Sequence, residues 1–271
     1  AANEVGGDPS GFGLDPHAFH QAMQDRLQAT PSAMSTTSTH DTKRSEDVRA
    51  RLAVLSEMPL CWEKYVSAWA DRNQIHKSNG QPEANMEYLL YQTMVGAWPL
   101  DEDRMHRYAE KAAREAKTHT SWTKANAEYE HALHNFIQSI YQDRDFLAEL
   151  EALVQKIAHA GYANSLGQTL LKLTCPGIPD IYQGTELWDF SLVDPDNRRP
   201  VDYNLRRTLL DTHEKLSAQE IMDRMKEGLP KLQLIRQGLQ LRRQMPETFG
   251  PAGSYEPIQI VGTKAAHALA F

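Results

Sequence analysis

The hydrophobic and polar positions are most regular between residues 129 and 157. Tyr129, Leu133, Phe136, Ile137, Ile140 and Tyr141 fall at offsets 0, 4, 7, 8, 11 and 12, which is one apolar face of an α-helix. Phe146, Leu147, Leu150, Leu153, Val154 and Ile157 repeat the stripe. Upstream, Ser45 is a helix-capping residue, and Glu46 and Asp47 give the first turn the sign that the helix dipole favours. Val48, Leu52 and Leu55 then share a face, and Tyr65, Trp69 and Arg72 carry the spacing onward. SNGQPEAN interrupts it before a helix near 83–97, and Asp101 opens another to about 117. Residues 45–160 therefore read as one helical subdomain.

The flanks have a different texture. Pro16 opens a helix over 16–29 that Pro31 stops. The small-residue, Thr-rich run from Ala33 to Thr39 predicts one buried strand. A helix near 162–174 ends at CPGIPDIYQGTEL, where Pro176 and Pro179 forbid helix and Ile178–Tyr182 fits a short buried strand. SLVDPDNRRPVDYN reads as loop. Ser217 with Glu220 forms a capping box, residues 231–245 are a further helix, and the tail from YEPIQIV to AHALAF reads as two strands around a turn. Two lone strands do not make a stable sheet, so this mainly α pattern predicts a piece of a larger fold.

Composition narrows the classes. The chain is 41% hydrophobic, enough for a real core, and its formal charge of −7 argues against nucleic acid and anionic membrane as partners. No apolar run approaches the ~18 residues of a membrane span, and AANEVGGDPS has neither the basic start nor the apolar stretch of a signal peptide. Cys61 and Cys175 match no metal spacing or disulfide framework; both read as core thiols in a reducing, cytoplasmic protein.

Four stretches could carry chemistry. His40 and Asp41 follow the first strand; a carboxylate there either faces a ligand or caps the next turn. GIPDIYQGTE, residues 177–186, offers Tyr182 and Glu186 to a polar ligand, or is only a strand with a tight exit. DPDNRRP, residues 194–200, holds Asp196, Arg198 and Arg199, and Arg–carboxylate forks brace loops as often as they bind ligands. His131-x-x-His134 lacks the intervening Glu of a zinc helix and reads as solvated surface. Trp62, Trp69, Trp98 and Trp122 read as core.

Taken together, STTSTHDTKRSEDVRARL, NEVGGDP, CPGIPDIYQGTELWDFSLVDPDNRRPVDY and GLPKLQLIRQGLQLRR resemble the maltooligosyltrehalose synthase family, a branch of the α-amylase clan (glycoside hydrolase family 13). The resemblance implies a mainly α chain that holds strands seven and eight of a (β/α)8 barrel. Residues 1–44 would be the end of the barrel through strand seven, 45–160 a helical insertion, 161–250 strand eight with its loops and helices, and 251–271 the start of a C-terminal β domain. It implies isomerisation of the reducing-end α-1,4 bond of a maltooligosaccharide into an α,α-1,1 bond, by retaining transfer within a water-excluding site. Asp41 would be the carboxylate that stabilises the transition state, with His40 binding a hydroxyl of the reacting sugar. Lys43 and Arg44 would contact bound glucose, and Tyr182, Glu186, Asp196, Arg198 and Arg199 would line or brace the mouth. No cofactor is implied. The implied partners are the rest of the barrel and, in the pathway, a trehalose-releasing hydrolase.

The family's nucleophile Asp and acid/base Glu lie upstream of Asn3, and no candidates for them occur here. The expectation is therefore a piece of the enzyme that is inactive alone. Two readings compete with it: a helical interaction module, and a plain α-glucan hydrolase of the same clan.

Overall fold

The structure, a computed structural model, describes residues 4, 7–11, 13–213 and 216–271. Along the chain run α1 (Pro16–Ala29), β1 (Met34–Ser35), α2 (Glu46–Ala53), α3 (Pro59–Asn73), α4 (Ala84–Ala97), α5 (Glu102–Ala116), α6 (Ala127–Gln142), α7 (Arg144–Thr174), β2 (Ile178–Pro179), α8 (Tyr203–His213), α9 (Ala218–Asp223), α10 (Leu229–Gln244) and α11 (Pro246–Phe249). Two compact units result. One comprises Thr42–Asn164 with Phe190–Arg199; the other comprises Ala2–Asp41, Ser165–Asp189 and Pro200–Phe271.

The first unit is helical. Its core gathers Val48, Leu52, Trp69, Leu90, Tyr91, Met94, Met105, Phe136, Ile137, Phe146 and Leu150, so the apolar stripes face inward as their spacing predicts. Trp69 is the aromatic hub: its ring centroid lies 5.4 Å from Tyr91 and 5.3 Å from Phe146, both edge-on. Caps define the ends. Asp101 accepts the Arg104 N–H at the start of α5, and Asn126 accepts the Tyr129 N–H at the start of α6. Gly96 lets α4 approach α2, because a methyl there would meet Val48 Cγ1 at 2.9 Å.

One buried guanidinium ties this unit together. Arg51 on α2 donates to the carbonyls of Gly96 at 3.1 Å and Trp98 at 2.6 Å, where α4 ends. Its plane lies 3.8 Å from the Phe190 ring centroid. Burial pulls its pKa down to about 10, with Tyr162 and Asp47 opposing, so it stays charged at neutral pH.

In the second unit β1 and β2 pair in parallel, Met34 beside Ile178 and Ser35 beside Pro179. The Ile178 N–H donates to Ala33 O at 3.0 Å and the Asp180 N–H to Ser35 O at 2.8 Å, while Pro179 has no N–H to offer. Gly177 enters β2 at φ 117°, and a methyl there would meet Ala33 O at 2.8 Å. A smaller core of Leu187, Leu209, Ile221, Leu229 and Leu232 joins α8, α9 and α10. Ser217 and Glu220 form the expected capping box on α9.

Several expectations need correction. The runs Ala33–Thr39 and Ile178–Tyr182 yield only two paired residues each, because each strand has a single partner among the described residues. The helix near 162–174 is no separate element: α7 continues through Gly161, which serves close packing, since a methyl there would meet Arg51 Cα at 3.1 Å. The tail over 251–271 contains no assigned strand. It has one backbone bond between its segments, Ile258 N–H to Ala270 O, and a 3-10 turn at Ala265–His267, which is too little for a ladder. Cys175 is buried, and burial pushes its thiol up to about 11. Cys61 is only half-buried, with Lys156 Nζ 3.8 Å from its sulfur. Trp122 is no core residue at all, because it lies in the loop between α5 and α6.

Candidate active site

In the second unit, the chain leaving β1 is held by hydroxyls. Thr36 Oγ1 donates to Ser38 O at 2.6 Å and lies 3.2 Å from Asp180 Oδ2. Lys172 Nζ donates to Thr37 Oγ1 at 2.8 Å. Thr39 Oγ1 accepts the Asp41 N–H at 3.1 Å. The hydroxyl of Thr39 thus takes a turn role that sequence alone would allow Asp41. The Asp41 carboxylate meets His40 Nε2 at 3.2 Å, and both side chains stay open to solvent, 59% exposed for His40 and 68% for Asp41. An imidazole that can donate to a hydroxyl therefore stands beside a carboxylate that can face positive charge.

Beyond β2, Tyr182 and Glu186 are part of a tight exit. Thr185 donates both its N–H and its hydroxyl to Tyr182 O, at 3.0 and 2.7 Å. Glu186 accepts the Gly184 N–H at 3.1 Å and Arg206 Nε at 2.8 Å, and Arg206 also donates to Gly184 O at 2.7 Å. Glu186 is therefore a brace that fixes the loop, through a partner 20 residues away that no motif announces.

The remaining candidates lie in the first unit. Lys43 pairs with Glu115 at 3.4 Å, an exposed contact of small energetic value. Arg44 donates to Thr93 Oγ1 at 3.0 Å, and its backbone bridges to Leu192. Asp196 is the anchor of the 190–199 loop. It accepts Arg104 Nε and a terminal nitrogen of the same guanidinium, each at 2.8 Å, and the Leu192 N–H at 2.7 Å. Burial alone would raise its pKa, but Arg104, the Leu192 N–H and Arg199 outweigh burial and hold it below the ordinary aspartate value. Arg199 lies 3.2 Å from Asp196 and also donates to Ser191 Oγ, while Arg198 pairs with Asp194 at 2.6 Å.

The structure thus brings together His40 with Asp41, and Asp196 with Arg199. Sequence reasoning missed Arg104 and Arg206, each the main partner of a candidate acid, and Arg51. Arg104 is 92 residues from Asp196, and its only sequence signal is its place in the first turn of a capped helix. His131 and His134 are exposed as expected: His131 meets Asn135 at 3.0 Å, and His134 stacks on His106 with centroids 3.9 Å apart. Among the described residues no group of three His, Cys, Asp or Glu side chains could hold a metal ion, and no helix is long and apolar enough to cross a membrane.

No family model matches the chain. A Mycobacterium tuberculosis protein carried provisionally under the name maltooligosyl trehalose synthase is 40% identical over 276 residues, covering 99% of this chain. The structure of maltooligosyltrehalose synthase from Arthrobacter ramosus matches with a TM-score of 0.87 at 40% identity, over 99% of this chain and 34% of that one. A second maltooligosyl trehalose synthase structure matches with a TM-score of 0.86 at 35% identity, over 96% of this chain and 36% of that one. In sequence and in fold the chain is similar, along essentially its whole length, to one part of maltooligosyltrehalose synthases, as its motifs imply. It spans about a third of the length of the curated relatives, 33%.

Proposed function

We propose that the chain supplies one side of the active site of a maltooligosyltrehalose synthase. In that reading β1 and β2 are adjacent strands, seven and eight, of a (β/α)8 barrel, residues 45–160 are an insertion between them, and 251–271 open a β domain. Their parallel pairing supports it. Asp41 stabilises the oxocarbenium-like transition state and His40 donates to a hydroxyl of the reacting sugar. Asp196 with Arg104, and Glu186 with Arg206, hold their loops stiff around the bound chain. Lys43, Arg44 and Arg198 meet outer sugars, and Tyr182 lines the mouth. The nucleophile and the acid/base come from elsewhere in the barrel, so this stretch alone has no turnover. The product is the substrate of a hydrolase that releases trehalose. The free thiols of Cys61 and Cys175 suit a reducing cytoplasm.

The observation that carries this is the exposed, mutually oriented His40–Asp41 pair at the exit of a parallel strand. The test uses the intact protein with maltopentaose, reading reducing ends and free glucose. Loss of reducing ends without glucose release, abolished in Asp41→Asn, is the expected result. Glucose or maltose release as the main outcome sinks the isomerase in favour of a hydrolase. No conversion and no maltooligosaccharide binding favours an interaction module built on the helical unit.

A further inference from the structure

In the proposed function Asp41 must keep one orientation, yet it draws its contacts from its immediate neighbours. Thr39 Oγ1 accepts its N–H at 3.1 Å, and His40 Nε2 meets its carboxylate at 3.2 Å. Its side chain stands mostly in water, so packing does not fix it either. The aim of the carboxylate is therefore inherited from the strap of residues 36–39 that leaves β1. Whatever stiffens that strap governs where the charge points.

Asp180 and Lys172 reach the strap from other elements. Asp180, which follows β2, has Oδ2 3.2 Å from Thr36 Oγ1. That hydroxyl has a single hydrogen, and Ser38 O lies closer to it, at 2.6 Å. Asp180 is thus a weak hold. Lys172 lies in the last turn of α7, and its Nζ donates to Thr37 Oγ1 at 2.8 Å across 135 residues of chain. An ammonium can only donate, so the direction of this bond is fixed, and its charge makes the bond stronger than a neutral one.

Lys172 is also 6% exposed, a depth at which lysine is rare. Ser165, Thr169 and Lys172 stand at offsets 0, 4 and 7 along α7 and are all buried, so this part of the helix turns a polar row inward. Desolvating an ammonium is costly, and a side chain needed only to fill that space would be apolar. We propose that Lys172 is a positioning residue for the His40–Asp41 pair. Its ammonium clamps Thr37 to α7, and so sets the direction from which the Asp41 carboxylate meets developing positive charge. The inference rests on the reading of Asp41 given above. In this role Lys172 acts through the strap and not on the sugar.

The test measures kcat and KM of the intact protein on maltopentaose. Lys172→Met removes the charge at similar length, and Thr37→Val removes the acceptor with little change of shape. Each is also made in an Asp41→Asn background. Expected for each single variant is a roughly ten- to hundredfold lower kcat, the effect of about 1 Å of misplacement. KM should stay within about twofold of wild type, and the unfolding midpoint should not fall. Thr37→Ser, which keeps a hydroxyl, should recover most of what Thr37→Val loses. In the Asp41→Asn background neither substitution should lower kcat further, because the group they aim is already gone. A wild-type kcat for folded Lys172→Met, or a loss of the same size with and without the Asp41 carboxylate, overturns the inference. If Lys172→Met does not fold, Thr37→Val decides by the same two criteria. A wild type that does not convert maltopentaose overturns the glucan reading, and the positioning role with it.

Discussion

His40–Asp41 and Arg104–Asp196 are both acid–base pairs, and they sit in opposite environments. The Arg104–Asp196 pair is largely buried, with 8% and 15% of the side chains exposed, and the Asp196 carboxylate accepts from both Arg104 and the Leu192 N–H. The His40–Asp41 pair is mostly in water. A largely buried pair is satisfied before any ligand arrives; a solvent-facing pair is open to one. In the proposed reading, acid–base pairs thus divide into loop construction and ligand contact according to what surrounds them.

The comparison can be broken by substitution. Arg104→Ala leaves the largely buried Asp196 without its main partner and is expected to cost ~3 kcal/mol, read as a lowered urea midpoint in circular dichroism. An unchanged midpoint would remove the distinction drawn between the two pairs. Trp69→Ala deletes the aromatic hub and is expected to cost a similar ~3–5 kcal/mol by the same measurement. Asp41→Asn should lower kcat of the intact protein by roughly a hundredfold or more, and its melting temperature should match wild type because the group is exposed.

A smaller effect comes from pH. Asp196 is held below its unfolded pKa, so its stabilisation is present above the ordinary aspartate value and is lost as pH falls through the lower folded value. Stability should therefore fall in that acid window, and Asp196→Asn should flatten the fall. Lys43→Ala should change stability by no more than ~0.5 kcal/mol, since its partner contact is exposed.

The helices were legible because the signals that make them are local: Asp101, Asn126 and the Ser217–Glu220 box cap elements within four residues of themselves. Strand lengths were not legible, because pairing depends on a partner more than a hundred residues away, Met34 on Ile178. Of the site, the residue types were readable and their surroundings were not. Nothing in DPDNRRP tells that Arg104 reaches Asp196, or in GIPDIYQGTE that Arg206 reaches Glu186. The solvent position of Trp122 was hidden for the same reason, since aromatic content alone does not reveal whether a loop turns outward.

Arg51 is a single component with two dependents. Its hydrogen bonds finish α4, and its flat face seats Phe190 at the start of the 190–199 loop. A fault at this position therefore spreads as one common failure in which the helix end frays and the loop loses its seat together. A lysine there would keep the charge but lose the plane, and would separate the two tasks that arginine performs at once.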